Sequence, residues 1–133
     1  MNEFFVEAKT ENLSVVLDFI NMQLDDCAPK VKNQIGIAID EIFSNIARYA
    51  YRPDVGPVTV RVAVEHDITI EFEDHGKPFN PLLQDNPDIS LPLEEREIGG
   101  LGIFMVKNIM DSVQYRREGN KNILTIQKKL PSV

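Results

Sequence analysis

The sequence predicts an α+β fold, a two-layer α/β sandwich in which three helices cover one face of a mixed, mostly antiparallel sheet. Segments whose apolar residues recur at helical spacing are separated by pairs of alternating segments that read as hairpins. No strand–helix–strand alternation is present, which excludes a doubly wound parallel sheet. At 133 residues and 43% hydrophobic content the chain suits one domain with one core, taken as residues 1–133.

The elements follow in order. Residues 2–8 are rich in phenylalanine and valine and predict an opening strand. A helix should start at about Asn12, whose side chain can cap it, with Leu13, Val16, Leu17, Ile20 and Leu24 as its stripe and Pro29 closing the segment. A second helix, residues 31–51, carries Ile35, Ile39, Ile42, Phe43 and Ile46 and ends before Pro53. Val58, Val60, Val62 and Val64 alternate with other residues, as do Ile68, Ile70 and Phe72, with His66-Asp67 as the tight turn. From His75 to Glu97 four prolines and many acids interrupt any period, and a loop of this length in a compact domain is usually functional or disordered. A third helix begins near Gly100 and carries Ile103, Phe104, Val106, Ile109 and Met110. Residues 113–117 and 123–129 form a last hairpin around Gly119-Asn120-Lys121.

The net charge of −7, from 14 Lys+Arg against 21 Asp+Glu, argues against general nucleic-acid binding, which needs a basic footprint. It is compatible with a nucleotide pocket, where backbone amides and a metal ion meet the phosphates. The single cysteine, Cys27, forms no internal disulfide or cysteine metal cluster. No stretch of eighteen apolar residues predicts a membrane span, and the first residues do not read as a signal peptide. Together these features point to the cytoplasm, with neither direct nucleic-acid nor membrane binding.

Three patterns carry candidate chemistry. On the second helix Glu41 and Asn45 lie four apart on one face, with Arg48 and Tyr49 one turn on, separate from the isoleucine stripe. Such a line is either a solvated face or a site. In Glu73-Asp74-His75-Gly76 an acid closes an apolar strand and a glycine follows. A buried carboxylate there can accept a hydrogen bond from an exocyclic amine such as that of adenine, and the glycine lets a flat ring approach the backbone. An ordinary strand exit turn has the same pattern. Gly99-Gly100-Leu101-Gly102 opens the third helix. Glycines at that position leave N–H groups bare for an anion or form a hinge. The run is neither a Walker loop nor a dinucleotide fingerprint.

In the order E-x-x-x-N, D-x-G, G-x-G, with a long loop before the last, the sequence resembles the GHKL ATPases. The stretches Ile39-Asp40-Glu41-Ile42-Phe43-Ser44-Asn45, Asp74-His75-Gly76-Lys77-Pro78-Phe79-Asn80-Pro81 and Leu93-Glu94-Glu95-Arg96-Glu97-Ile98-Gly99-Gly100-Leu101-Gly102-Ile103 are similar to bacterial anti-sigma-factor serine/threonine kinases. The resemblance implies ATP and Mg²⁺ as cofactors and the histidine-kinase-like ATPase fold. It makes Glu41 the catalytic base and Asn45 the Mg²⁺ ligand. Asp74 becomes the adenine reader with Gly76 beside it, and Gly99, Gly100, Leu101 and Gly102 the phosphate loop. Residues 82–98 would be the ATP lid, with Arg96 reaching a terminal phosphate, and Thr125 the hydroxyl near adenine. Arg48 and Tyr49 are similar to the basic residue and tyrosine that histidine kinases place near the nucleotide, where anti-sigma kinases often have histidine at the position of Tyr49. The implied activity is phosphorylation of a small anti-anti-sigma-like antagonist protein, with a sigma factor as the sequestered partner. A nucleotide-gated binding module without transfer, and a detached histidine-kinase-like ATPase domain, are the alternatives. Homodimers are common among similar proteins, and the strand at Phe4-Phe5-Val6 or the first helix could supply the contact. The first helix lacks the lysine or arginine with which sporulation-type relatives engage partners.

Overall fold

The computed structural model describes residues 1–83 and 100–130. Its elements are β1 (Asn2–Glu7), α1 (Leu13–Gln23), α2 (Pro29–Tyr49), β2 (Pro57–Val64), β3 (Asp67–Asp74), α3 (Gly100–Ile109), β4 (Ser112–Glu118) and β5 (Lys121–Lys129), with short 3₁₀ turns at Thr10–Asn12 and Pro81–Leu83. The five strands make one sheet in the order β1-β2-β3-β5-β4. All four ladders are antiparallel. This is the expected α+β sandwich, except that among the described residues every pair is antiparallel where the sequence predicts a mixed sheet.

Strand pleat decides which side chains meet the helices, because alternate residues point to opposite sheet faces. Val58, Val60 and Val62 of β2, Ile68, Ile70 and Phe72 of β3, and Ile126 of β5 are buried on the helix side, and the apolar stripe of α2 closes over them. Ile35, Ile39, Ile42 and Phe43 of that stripe are at most 1% exposed, and each such side chain contributes about 1.5–3 kcal/mol by leaving water. Val16, Ile20 and Leu24 complete the core from the α1 segment, and Phe4 stacks on Phe19 at 4.9 Å between ring centroids, fixing α1 to the edge strand. The opposite sheet face carries charge. There Arg61 reaches Glu3 at 2.9 Å and Glu73 at 3.2 Å. Burial pulls the Arg61 guanidinium down, but its hydrogen bonds and ion pairs with Glu73 and Glu3 outweigh this and leave it raised.

Three boundaries differ from expectation. Asn12 lies in the αR region and continues the preceding 3₁₀ turn, so its side chain makes no cap. Instead its Nδ2 donates to the carbonyl of Glu7 at 2.9 Å. Pro29 does not close the first helix but opens α2 at its first turn, where a missing N–H costs nothing. The β2–β3 turn is Glu65-His66, one residue earlier than expected, and Asp67 is already paired with Lys129.

In the β4–β5 hairpin the two-residue loop is Gly119-Asn120. Gly119 has φ +57°, and a side chain there would meet nothing within 4 Å. The glycine is needed for its backbone alone. Gly119→Ala is therefore expected to lower unfolding free energy by about 1 kcal/mol in urea denaturation, from left-handed strain without any clash.

Candidate functional site

The helix layer and the sheet diverge where α2 ends and β3 runs out, leaving a cleft between them. It is lined by Ile42, Asn45, Ile46, Tyr49 and Ala50 of α2 and its end, Phe72 and Asp74 of β3, and Ile103 of α3. Phe79 and Pro81 of the following loop, Tyr115 of β4, and Asn122 and Leu124 of β5 complete the walls. At its centre the cleft leaves a cavity of about 40 Å³. Mostly apolar walls with a few convergent polar groups are the usual make-up of a small-molecule site.

Asp74 is the polar centre, although only 5% of it is exposed. It shares the core face of β3 with Ile70 and Phe72, so the strand's own period delivers a carboxylate to the end of the core. Its Oδ1 accepts from the Gly76 N–H at 2.8 Å and from Asn122 Nδ2 at 2.9 Å. Among the described residues nothing donates to Oδ2. A carboxylate held this way has one oxygen fixed by the protein and one left to accept from a ligand amine.

Asn122, on β5 opposite Asp74, was not among the residues picked out from sequence. It is 6% exposed, and its second amide hydrogen goes to the Lys77 carbonyl at 2.9 Å. Its Oδ1 accepts from the Tyr115 hydroxyl at 2.5 Å, from Arg117 at 3.1 Å and from the Phe79 N–H at 3.4 Å. Arg117 also donates to the Gly76 carbonyl at 2.9 Å. One asparagine thus joins β3, β4, β5 and the loop after Asp74. Its sequence signal was faint: it lies two residues before Leu124 and four before Ile126, on the helix-side face of a strand.

The pair expected on α2 is brought together. Asn45, 9% exposed, donates from Nδ2 to Glu41 Oε1 at 3.1 Å. That bond turns the Asn45 carbonyl oxygen away from Glu41. Tyr49 lines the cleft, with its ring 6.2 Å from that of Phe79. Arg48 does not line it. It is exposed, donates to the Ser44 carbonyl at 3.3 Å and lies over the adjacent Tyr49 ring.

Two glycines have tighter reasons than those read from sequence. A Cβ on Gly76 would overlap the Ala50 carbonyl, so this glycine lets the loop seat on the end of α2 and is not itself a wall of the cleft. A Cβ on Gly102 would overlap the Glu41 carboxylate. Gly102 is where α3 meets the acid of α2, near the positive end of the α3 dipole. Gly100 and Leu101 form the first residues of α3. Gly99, Arg96 and residues 84–98 of the expected lid lie outside the described residues.

Thr125 requires a correction. It is one residue out of phase with Leu124 and Ile126, so it points to the charged sheet face, away from the cleft. Its Oγ1 is buried with no partner among the described residues. Leu124 holds the cleft position instead.

The chain matches the family described as histidine kinase-like ATPase domain over residues 6–128. Serine-protein kinase RsbW of Bacillus mycoides and that of Bacillus anthracis are each 32% identical to it over 93 residues. Those alignments take in 66% of this chain and span only 58% of the relatives' length. The Acinetobacter baumannii histidine kinase AdeS superposes with a TM-score of 0.54 over 99% of this chain and 70% of its own, at 15% identity, which is a likeness of fold.

The contrast between two polar residues of β5 is measurable. Asn122→Leu removes one of the two donors to Asp74 Oδ1 and leaves the Lys77 carbonyl and the Tyr115 hydroxyl without this partner, and should cost about 3 kcal/mol in urea unfolding. Thr125→Val removes a buried hydroxyl without a partner and should raise stability by about 1 kcal/mol.

Proposed function

Because the chain belongs to the histidine kinase-like ATPase domain family, we propose that it binds Mg-ATP in this cleft and acts as an anti-sigma-factor-like protein serine/threonine kinase. Its substrate is a small antagonist protein, and it sequesters a regulatory partner such as a sigma factor when that antagonist is absent. The observation that carries the nucleotide reading is Asp74. It is a buried carboxylate with one oxygen saturated by Gly76 and Asn122, set among apolar and aromatic walls. Such a group accepts from the exocyclic amine of adenine and disfavours the carbonyl that guanine carries at the same position.

The remaining residues fit the phosphate end. Asn45 spends its amide hydrogen on Glu41, leaving a carbonyl oxygen for a hard cation. Among the described residues no cluster of three or more His, Cys, Asp or Glu could hold a metal. A magnesium ion would therefore take Asn45 together with phosphate and water oxygens. Bound Mg-ATP would supply the phosphoryl group and neutralise part of its charge. Glu41 is then the base that takes a proton from the attacking serine or threonine hydroxyl, once its carboxylate turns from Asn45. The N-terminal N–H groups of α3, at Gly100, Leu101 and Gly102, suit the phosphates. The names of the RsbW relatives support serine phosphorylation.

Calorimetry and a transfer assay divide these roles. Asp74→Asn should raise the Kd for Mg-ATP at least about tenfold, or ~1.4 kcal/mol. Glu41→Ala should keep nucleotide affinity within about twofold and abolish transfer of the γ-phosphate to serine. Asn45→Ala should remove the magnesium dependence of binding. Unchanged affinity in Asp74→Asn would overturn the adenine assignment, and equal loss of binding in all three variants would overturn the division of roles.

A further inference from the structure

Away from the cleft, and sharing none of its lining residues, a second groove runs between α1 and α2. One wall comes from Leu17, Asn21 and Met22, the other from Asn33, Gly36 and Ile37. Each wall repeats at one-turn spacing, so the groove follows both helices for about two turns, roughly 12 Å. Met22 is 72% and Ile37 45% exposed, which leaves apolar surface at its centre unpartnered within the chain.

Gly36 lies between them, in the interior of the 21-residue α2. Glycine is the least favourable residue for a helix interior apart from proline. The other close-packed glycines have a reason in the fold, since a Cβ on Gly76 or Gly102 would collide with neighbouring atoms. A Cβ on Gly36 would meet nothing within 4 Å. The fold does not require this glycine, and its effect is to keep the groove floor low from outside.

The rim sets the charge of the occupant. Asp18, Asp25 and Asp40 line the groove against the single cation Lys32, and none of the three acids is in an ion pair among the described residues. A second copy of this chain would bring acid against acid, and the chain as a whole carries −7. An amphipathic helix presents apolar anchors at one-turn spacing with charge on either side, which fits two parallel helical walls and an apolar floor.

We infer that the α1–α2 groove docks a basic amphipathic helix of a protein partner, with its apolar stripe over Gly36 between Met22 and Ile37 and its lysines or arginines on the three aspartates. The inference rests on the proposed function only in that the domain acts through a protein.

The test is an amide-shift titration of the labelled chain with a synthetic 16-residue helical peptide bearing a leucine stripe flanked by lysines, alongside a version with glutamates in place of the lysines. The lysine peptide should shift amides of residues 17–25 and 32–40 and weaken as salt rises, and the glutamate peptide should shift neither. Gly36→Gln, which fills the floor, and the double change Asp18→Lys with Asp25→Lys should each raise the peptide Kd at least tenfold. Mg-ATP affinity should stay unchanged in both, so loss of docking is read separately from any failure of the nucleotide site. Gly36→Ala should raise the melting temperature by about 3 °C. The inference is overturned if the lysine peptide leaves those amides unmoved or scatters its shifts over the acidic surface. Full peptide affinity in Gly36→Gln, a lowered melting temperature in Gly36→Ala, or sedimentation showing a second copy seated in the groove would also overturn it.

Discussion

A carboxylate can stay in a protein interior only where fixed donors answer its charge. In this chain the donors to Asp74 come from two directions, the Gly76 N–H just downstream and the Asn122 amide across the sheet. Much of the cleft depends on that junction. Asn122 also holds the loop through Lys77 and Phe79 and receives Tyr115 and Arg117 from β4. Gly76 seats the same loop on the end of α2, where Lys77 N–H donates to the Ala50 carbonyl at 3.2 Å. Helix, sheet and loop are tied together around a carboxylate that keeps one oxygen clear of these bonds. Such a group is preorganised, because its orientation is set before any ligand arrives.

A second tie, Tyr51, braces the junction from outside. Its hydroxyl donates to the Pro57 carbonyl at 2.5 Å and accepts from the His75 N–H at 2.7 Å, linking the end of α2 to both the start of β2 and the exit of β3. Burial pushes its phenol above the ordinary value, although the His75 hydrogen bond pulls the other way. The hydroxyl therefore stays protonated at neutral pH and available to donate.

The sequence made the layers legible because burial imposes a period. The isoleucines of α2 and the valines of β2 could be read directly, and so could Asp74, since an acid ending an apolar strand breaks the expected pattern. Asn122 was not legible, because its importance comes from a partner 48 residues away and no local pattern links the two. Thr125 was misplaced for a related reason. A strand face is decided by a one-residue phase, and only the ladder with β3 fixes that phase. The glycines show a further limit. Gly36, Gly76 and Gly102 look alike in sequence, yet the atoms around them assign a groove floor, a loop contact and a helix contact with Glu41. The helix boundaries were missed locally, since Pro29 can stop one helix or start the next and only the backbone chooses.

The proposed adenine selectivity of the cleft rests on Asp74 and Asn122. The most direct measurement follows the Gly76 backbone amide and the Asn122 side-chain amide by NMR during titration with ATP, ADP and GTP. Both signals should shift with ATP and with ADP, saturating at one nucleotide per chain, and should stay in place with GTP. Equal shifts with GTP, or no movement of either signal with ATP, would contradict the account.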